Sequence, residues 1–125
     1  MSVDAPLPSA VRVREVGPRD GFQNEPEVIP TAEKVRLVDL LARTGLRRIE
    51  VTSFVRPDVI PQLSDAADVL GAVDVPADVA ISVLIPNAKG LDTALALLDA
   101  HAGERRAFDE VNVFLSASES HNRAN

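Results

Sequence analysis

The feature that most limits what this chain can fold into is a repeat. Four short runs of β-branched and aliphatic residues begin near Val11, Leu46, Asp78 and Asp109, at offsets of 35, 32 and 31 residues. Helical patterns lie between them. Thr31 is placed to cap the first helix, and Glu33 suits the positive end of its dipole. Val35, Val38, Leu41 and Ala42 then recur at helical spacing, and Gly45 falls where a left-handed C-terminal residue is expected. The second helix, roughly Gln62–Val73, follows the same logic. In the third, Asn87 is the cap, and Leu91, Ala94, Leu95 and Leu98 fall at i, i+3, i+4 and i+7.

Strand–helix units of this length imply parallel strands joined by right-handed crossovers. An open doubly wound sheet and a closed (β/α)8 barrel both fit that rule. A barrel takes ~250 residues for its eight units, so four units in 125 residues make half of one. The expected fold is therefore α/β, the N-terminal half of a TIM barrel, with about four parallel strands and three intervening helices. Residues 1–10 are expected to be a disordered tail. Residues 11–125 are expected to form a truncated barrel domain that stops after strand four and before a fourth helix.

Composition narrows the function classes. Apolar residues are 46% and charged residues 26%, a globular balance. With four Phe and no Trp or Tyr, the core has to be built from Val, Leu, Ile and Ala. A net charge of −6 argues against a nucleic-acid partner. It does not exclude an acidic substrate, because a local cation can dominate a pocket. The absence of cysteine excludes a disulfide framework. Met1–Ala10 contains Asp4, two prolines and no apolar run, unlike a signal or transit peptide, so the cytoplasm is the default expectation. No stretch approaches the length of a membrane span, so no membrane partner is expected.

Barrel chemistry belongs at the C-terminal ends of strands. The first strand, Val11–Val16, runs into Gly17-Pro18-Arg19-Asp20-Gly21-Phe22-Gln23-Asn24-Glu25, where two glycines and a proline predict a sharp non-helical loop. A guanidinium there can stabilise an enolate oxygen, and a carboxylate can bind a hard divalent cation. The plainer alternative is a turn with a surface Arg–Asp pair. On the second strand Ile49 and Val51 point one way, and Arg48, Glu50 and Thr52 the other. If Ile49 and Val51 meet the helices, Glu50 faces the barrel interior and needs a partner such as an Arg or a metal. The alternatives are that the faces are reversed, or that Glu50 makes a purely structural salt bridge with Arg19 or Arg48. Thr52, Ser53 and Phe54 leave the strand and can line a pocket. Asn87 is better read as a helix cap, and Ser118 and Glu119 as substrate contacts or a solvated loop. His101 belongs to the far end of the barrel. His101 and His121 lack the spacing of a joint metal site.

These residues resemble a known family. Glu15–Glu25 closely resembles the first-strand motif of the 3-hydroxy-3-methylglutaryl-CoA lyases. The similarity continues through Ile49-Glu50-Val51-Thr52-Ser53-Phe54-Val55, Pro86-Asn87-Ala88-Lys89-Gly90 and Ser116-Ala117-Ser118-Glu119. The wider superfamily of metal-dependent TIM-barrel lyases and Claisen-type synthases shares the Arg-Asp-Gly core. The resemblance implies cleavage of an acyl-CoA substrate, 3-hydroxy-3-methylglutaryl-CoA, to acetyl-CoA and acetoacetate with Mg²⁺ or Mn²⁺, in a parent protein that is a homo-oligomer. It implies Asp20 as metal ligand and proton acceptor, Arg19 as enolate stabiliser and substrate contact, and Glu50 as the acid that orients Arg19. For Gln23, Ser53 and Asn87 it implies a place in the substrate pocket.

What the chain lacks matters as much. The family's His-x-His metal pair, the Asn beyond it and the Cys on a glycine-rich loop have no counterpart here. One carboxylate is a poor site for Mg²⁺, so this chain is expected to bind metal weakly and not to turn over. Two unpaired strand edges are expected, near Val11–Val16 and Glu110–Leu115. Competing readings are an aldolase or synthase on another acyl-CoA or 2-oxo acid, and a non-catalytic fragment. A receiver-like signalling domain is disfavoured, because Pro86-Asn87 stands where a phosphoacceptor Asp is needed.

Overall fold

The computed structural model describes residues 6–103 and 106–124. A three-stranded parallel sheet lies at its centre: β1 (Arg48–Ser53), β2 (Ala80–Leu84) and β3 (Glu110–Asn112), ordered β1-β2-β3. The helix α1 (Thr31–Leu41) precedes β1, α2 (Ala66–Ala72) links β1 to β2, and α3 (Ala88–Ala100) links β2 to β3. The outer face of the sheet, with Ile49, Val51, Ile81 and Val83, packs on Val38, Val69, Leu70, Val73 and Ala94 of the helical layer. That is the α/β barrel layering expected from the repeat.

The ends of the sheet differ from expectation. In place of a strand over Val11–Val16, a single parallel bridge joins Glu15 to Ile49. Its bonds run from Glu15 N–H to Arg48 O (3.0 Å) and from Glu50 N–H to Glu15 O (2.8 Å). A segment with one neighbour has no second ladder to hold it, and Val11 and Val13 are exposed. At the other edge β3 stops at Asn112, leaving Val113, Phe114 and Leu115 exposed. The chain also enters a fourth helix, α4 (Glu119–Ala124), where none was expected. Of the expected tail, Met1–Ala5 lie outside the described residues, and Pro6–Ala10 are exposed with no helix or strand.

Three helix assignments shift. The helix expected over roughly Gln62–Val73 is divided: Pro61–Leu63 form a 3-10 turn and α2 begins at Ala66, because Asp65 turns its side chain to α1 and does not cap. Thr31 is the first residue of α1 rather than its cap; Pro30 takes the cap position, and the Thr31 hydroxyl donates to Asp65 Oδ2 (2.6 Å). In α3 the inward stripe is Gly90, Ala94, Leu97 and Leu98, while Leu91 and Leu95 are exposed. The helix is apolar on so many sides that sequence periodicity could not choose between neighbouring stripes. Leu91 instead lines a cleft with Val113, Phe114 and Leu115, on the side of α4. Gly45 does adopt the left-handed conformation, at φ 94°.

Side-chain contacts across the inner face run diagonally to the backbone register. Glu50 pairs with Ser82, and Ser82 with Glu110, along the backbone register. Yet the Glu50 carboxylate is bonded by Asn112, two residues beyond Glu110. Two residues over two strand steps is one per strand, the same diagonal as in a (β/α)8 barrel, whose shear is about eight. Arg48, bonded to Glu110 at 3.0 Å, repeats the same diagonal one layer lower.

α3 approaches β1 at Gly90, where an added Cβ would lie 2.6 Å from the carbonyl oxygen of Phe54. Gly90→Ala is therefore expected to destabilise the chain by about 1–3 kcal/mol, measured as a lower urea midpoint at unchanged m-value. A neutral result would show that α3 can move away freely.

Candidate active site

The segment after Glu15 is a five-residue π-helical turn, Gly17–Gly21, rather than the non-helical loop expected. Two bonds shape its start. Gly17 N–H donates to Glu15 Oε1 (2.7 Å), and Asp20 N–H to Val16 O (2.7 Å). A Cβ on Gly17 would lie 2.8 Å from that same Glu15 oxygen, so a larger residue here would push the Glu15 carboxylate off the Gly17 N–H. Wide helical turns of this kind recur at functional sites. This one lifts Arg19 and Asp20 above the C-terminal end of β1.

Arg19, Asp20 and Glu50 meet there. Arg19 Nε donates to Glu50 Oε1 (2.6 Å), and Arg19 Nη1 to Asp20 Oδ1 (3.1 Å). The Glu50 side chain is only 5% exposed, whereas that of Asp20 is 56% exposed. Glu50 lies on the inner side of the sheet, so the faces are not reversed, and its cationic partner is Arg19; Arg48 is taken by Glu110. The second Glu50 oxygen accepts from Asn112 Nδ2. Asn112 was not singled out in the sequence. The signal was present, since Glu110 and Asn112 alternate with apolar neighbours as Arg48 and Glu50 do. Below this layer, Arg14 and Arg48 converge on Glu110 at 3.4 and 3.0 Å.

The remaining site residues are placed less directly. Ser53 is buried, and its hydroxyl donates to Leu84 O (3.1 Å), so it ties β1 to β2. The β1–β2 register shifts between Glu50 and Thr52, so Thr52 pairs with Val83 and the simple alternation expected along β1 breaks there. Asn87 is the α3 cap, its Oδ1 accepting from Gly90 N–H (2.9 Å). Gln23 is half-buried just beyond the turn. Ser118 accepts from the His121 N–H at the start of α4, and Glu119 pairs with Arg123, so this run is an exposed helix start. His101 closes α3, its Nδ1 against Leu97 O (2.9 Å). Arg56 forks onto Asp58 beyond β1, and that hydrogen bond holds the Asp58 carboxyl below its usual range.

A resident divalent cation needs several hard ligands. Among the described residues no three His, Cys, Asp or Glu side chains group around one point. Asp20 is the one carboxylate presented outward at the site. The donor set of this chain alone does not fit an octahedral cation.

The model of the family described as HMGL-like matches residues 10–125. The chain belongs to the HMGL-like family. This family is metal-dependent in general. Among curated relatives, the hydroxymethylglutaryl-CoA lyase YngG of Bacillus subtilis is 47% identical over 120 residues, covering 96% of this chain and 37% of that protein. The mitochondrial lyase of Gallus gallus is 46% identical over 119 residues, covering 95% and 37%. The crystal structure of the Bacillus subtilis lyase superposes with a TM-score of 0.81 at 46% identity, over 97% of this chain and 38% of that one. An Acinetobacter baumannii lyase solved with coenzyme A and 3-methylmalate gives 0.77 at 41% identity, over 91% and 34%. The chain thus spans little more than a third of the length of the relatives it matches. The cytoplasmic default drawn from Met1–Ala10 is overturned: relatives from Gallus gallus, Arabidopsis thaliana and Mus musculus are named mitochondrial, while one from Danio rerio is named cytoplasmic. No described helix is long and apolar enough to cross a membrane.

Glu50→Gln removes the charge that balances a mostly buried Arg19 and is expected to cost about 2–3 kcal/mol. Glu110→Gln, whose partners are more exposed, is expected to cost under about 1 kcal/mol. Chemical denaturation of the two variants tests the ranking, and equal losses would remove Glu50 from its central place.

Proposed function

We propose that the protein carrying this chain is a carbon–carbon lyase that cleaves 3-hydroxy-3-methylglutaryl-CoA to acetyl-CoA and acetoacetate. One observation carries the reading: an arginine held by a buried carboxylate beside an outward-facing aspartate, at the C-terminal end of a parallel strand, in a family of lyases.

The chemistry asks for two things. A base must take the proton of the 3-hydroxyl, so that the new carbonyl forms as the carbon–carbon bond breaks. The electron pair of that bond then moves onto the thioester as an enolate, which takes up a proton to give acetyl-CoA. Asp20, exposed and poised at the mouth, is assigned as the proton acceptor and as one ligand of Mg²⁺ or Mn²⁺, a hard cation that suits a carboxylate. Arg19 is assigned to the enolate oxygen, where a fixed positive charge lowers the barrel-mouth barrier most. Glu50 orients Arg19 through its Nε. Gln23, Ser53 and Asn87 are assigned to the pocket wall. Further metal ligands and the donor that protonates the enolate have no counterpart among this chain's residues, so the 125-residue chain is expected to show no turnover.

A chimera of residues 1–125 with the remaining barrel units of the Bacillus subtilis relative tests the assignment. It is expected to release acetoacetate from 3-hydroxy-3-methylglutaryl-CoA when Mg²⁺ is supplied. Arg19→Gln in that chimera is expected to lower kcat about 10²–10³-fold with a smaller effect on KM. An unchanged kcat would remove Arg19 from the transition state, and acetoacetate release by the 125-residue chain alone would refute the expected inactivity.

A further inference from the structure

Lys34 is out of place for an ordinary lysine. It sits in the first part of α1, where the helix dipole disfavours a cation, and its side chain is 4% exposed. Lysine is almost never buried unless paired. Its Nζ donates to Gln62 O (2.5 Å) and to Asp65 Oδ1 (2.7 Å). Asp65 is unusual in turn. It occupies the cap position of α2, yet makes no capping bond. Both its oxygens are turned away to α1, one to Lys34 and one to the Thr31 hydroxyl. An aspartate at a helix start ordinarily satisfies that helix's own N–H groups. Here it serves a different junction.

That junction reaches the turn that carries Arg19 and Asp20. The Lys34 ammonium lies 6.0 Å from the ring centroid of Phe22, at the edge of cation–π range. Phe22 closes the π-helical turn, its N–H bonded to Arg19 O. Gln62, whose carbonyl Lys34 holds, sends its own side chain back to Glu25 O (3.0 Å). The chain beyond the turn is therefore gripped at two points, Phe22 by Lys34 and Glu25 by Gln62, and Lys34 is itself fastened to the segment 60–65 through Gln62 O and Asp65. On the near side the turn is fixed by the Glu15 bridge to β1.

We infer that Lys34, with Asp65 and Gln62, is a positioning device for Arg19: it anchors the far end of the turn so that the guanidinium stays on Glu50. This rests on reading Arg19 and Asp20 as the reacting pair. Its test reads the geometry of Arg19 rather than catalysis, so it stands or falls apart from the lyase assignment.

The readout is solvent exchange of the Arg19 Nε–H in the full chain, followed by nitrogen-15 NMR at a temperature where circular dichroism shows each variant folded. Lys34→Met keeps the aliphatic stem and removes the ammonium; Gln62→Leu removes only the bond to Glu25. Val73→Ala, a cavity at the opposite end of α2, serves as the control for lost stability. Lys34→Met and Gln62→Leu are expected to speed exchange at Arg19 at least tenfold, with Val73→Ala leaving it near the parent rate. Parent-like exchange in the first two variants would overturn the inference, as would equal acceleration in all three. If Lys34→Met does not fold, Gln62→Leu decides alone, because its half-buried side chain leaves the core intact.

Discussion

A carboxylate placed almost out of reach of water must find cations or donors, or it will not remain charged. Glu50 is that group here, and much of the inner face is arranged around it. Arg19 arrives from the turn above β1 and Asn112 from β3, so the two oxygens are held from opposite sides. β2 stands between, and Ala80 and Ser82, the residues paired with Arg48 and Glu50, are small enough for side chains of β1 and β3 to meet across it. The Ser82 hydroxyl turns to Ile49 O and leaves that space clear. The same Asn112 amide that donates to the carboxylate thus also follows the diagonal from β1 to β3.

The turn bearing Arg19 is short of partners of its own and is held by its neighbours. Glu15 does double duty, its backbone bridging β1 and its carboxylate receiving the Gly17 N–H. Without that bridge the guanidinium would sit on a free coil, and the entropy lost in aiming it would weaken its grip on Glu50. The substitution of a π-helical turn for a loop has a physical reason. Pro18 fixes one dihedral and is buried, so the chain cannot swing outward, and winding inward lets successive N–H groups reach the Val16 carbonyl.

Much of this was legible in the sequence because it depends on local pattern. The strand–helix repeat gave parallel order, Gly45 marked a left-handed position, and Asn87 announced a cap. Glu50 next to two β-branched neighbours pointed to a charge that needed a partner, and Arg19 was one of two named. What stayed hidden depends on partners distant in the chain. Nothing near Lys34 signals that Asp65 forsakes its own helix for α1, since the two lie 31 residues apart. Asn112 looks like any polar strand residue until β3 is placed two strands from β1. The true stripe of α3 was hidden for the opposite reason, an excess of apolar choices.

The molecule is packed unevenly, and the imbalance falls across the site. On the outer face Val83 is fully buried while Val111, its partner on β3, is 44% exposed. α4 follows β3, but its six residues bury none of their side chains. Glu50 therefore takes one donor from a segment braced by α1, α2 and β1, and the other from the least supported strand. Local opening follows the density of buried contacts, so the Asn112 arm should loosen before the Arg19 arm does. Barrel units packed beyond β3 would stabilise Asn112 directly and Arg19 only through Glu50. In that sense the chain already contains the orientation of its guanidinium, while the second donor on the carboxylate hangs on its least supported strand.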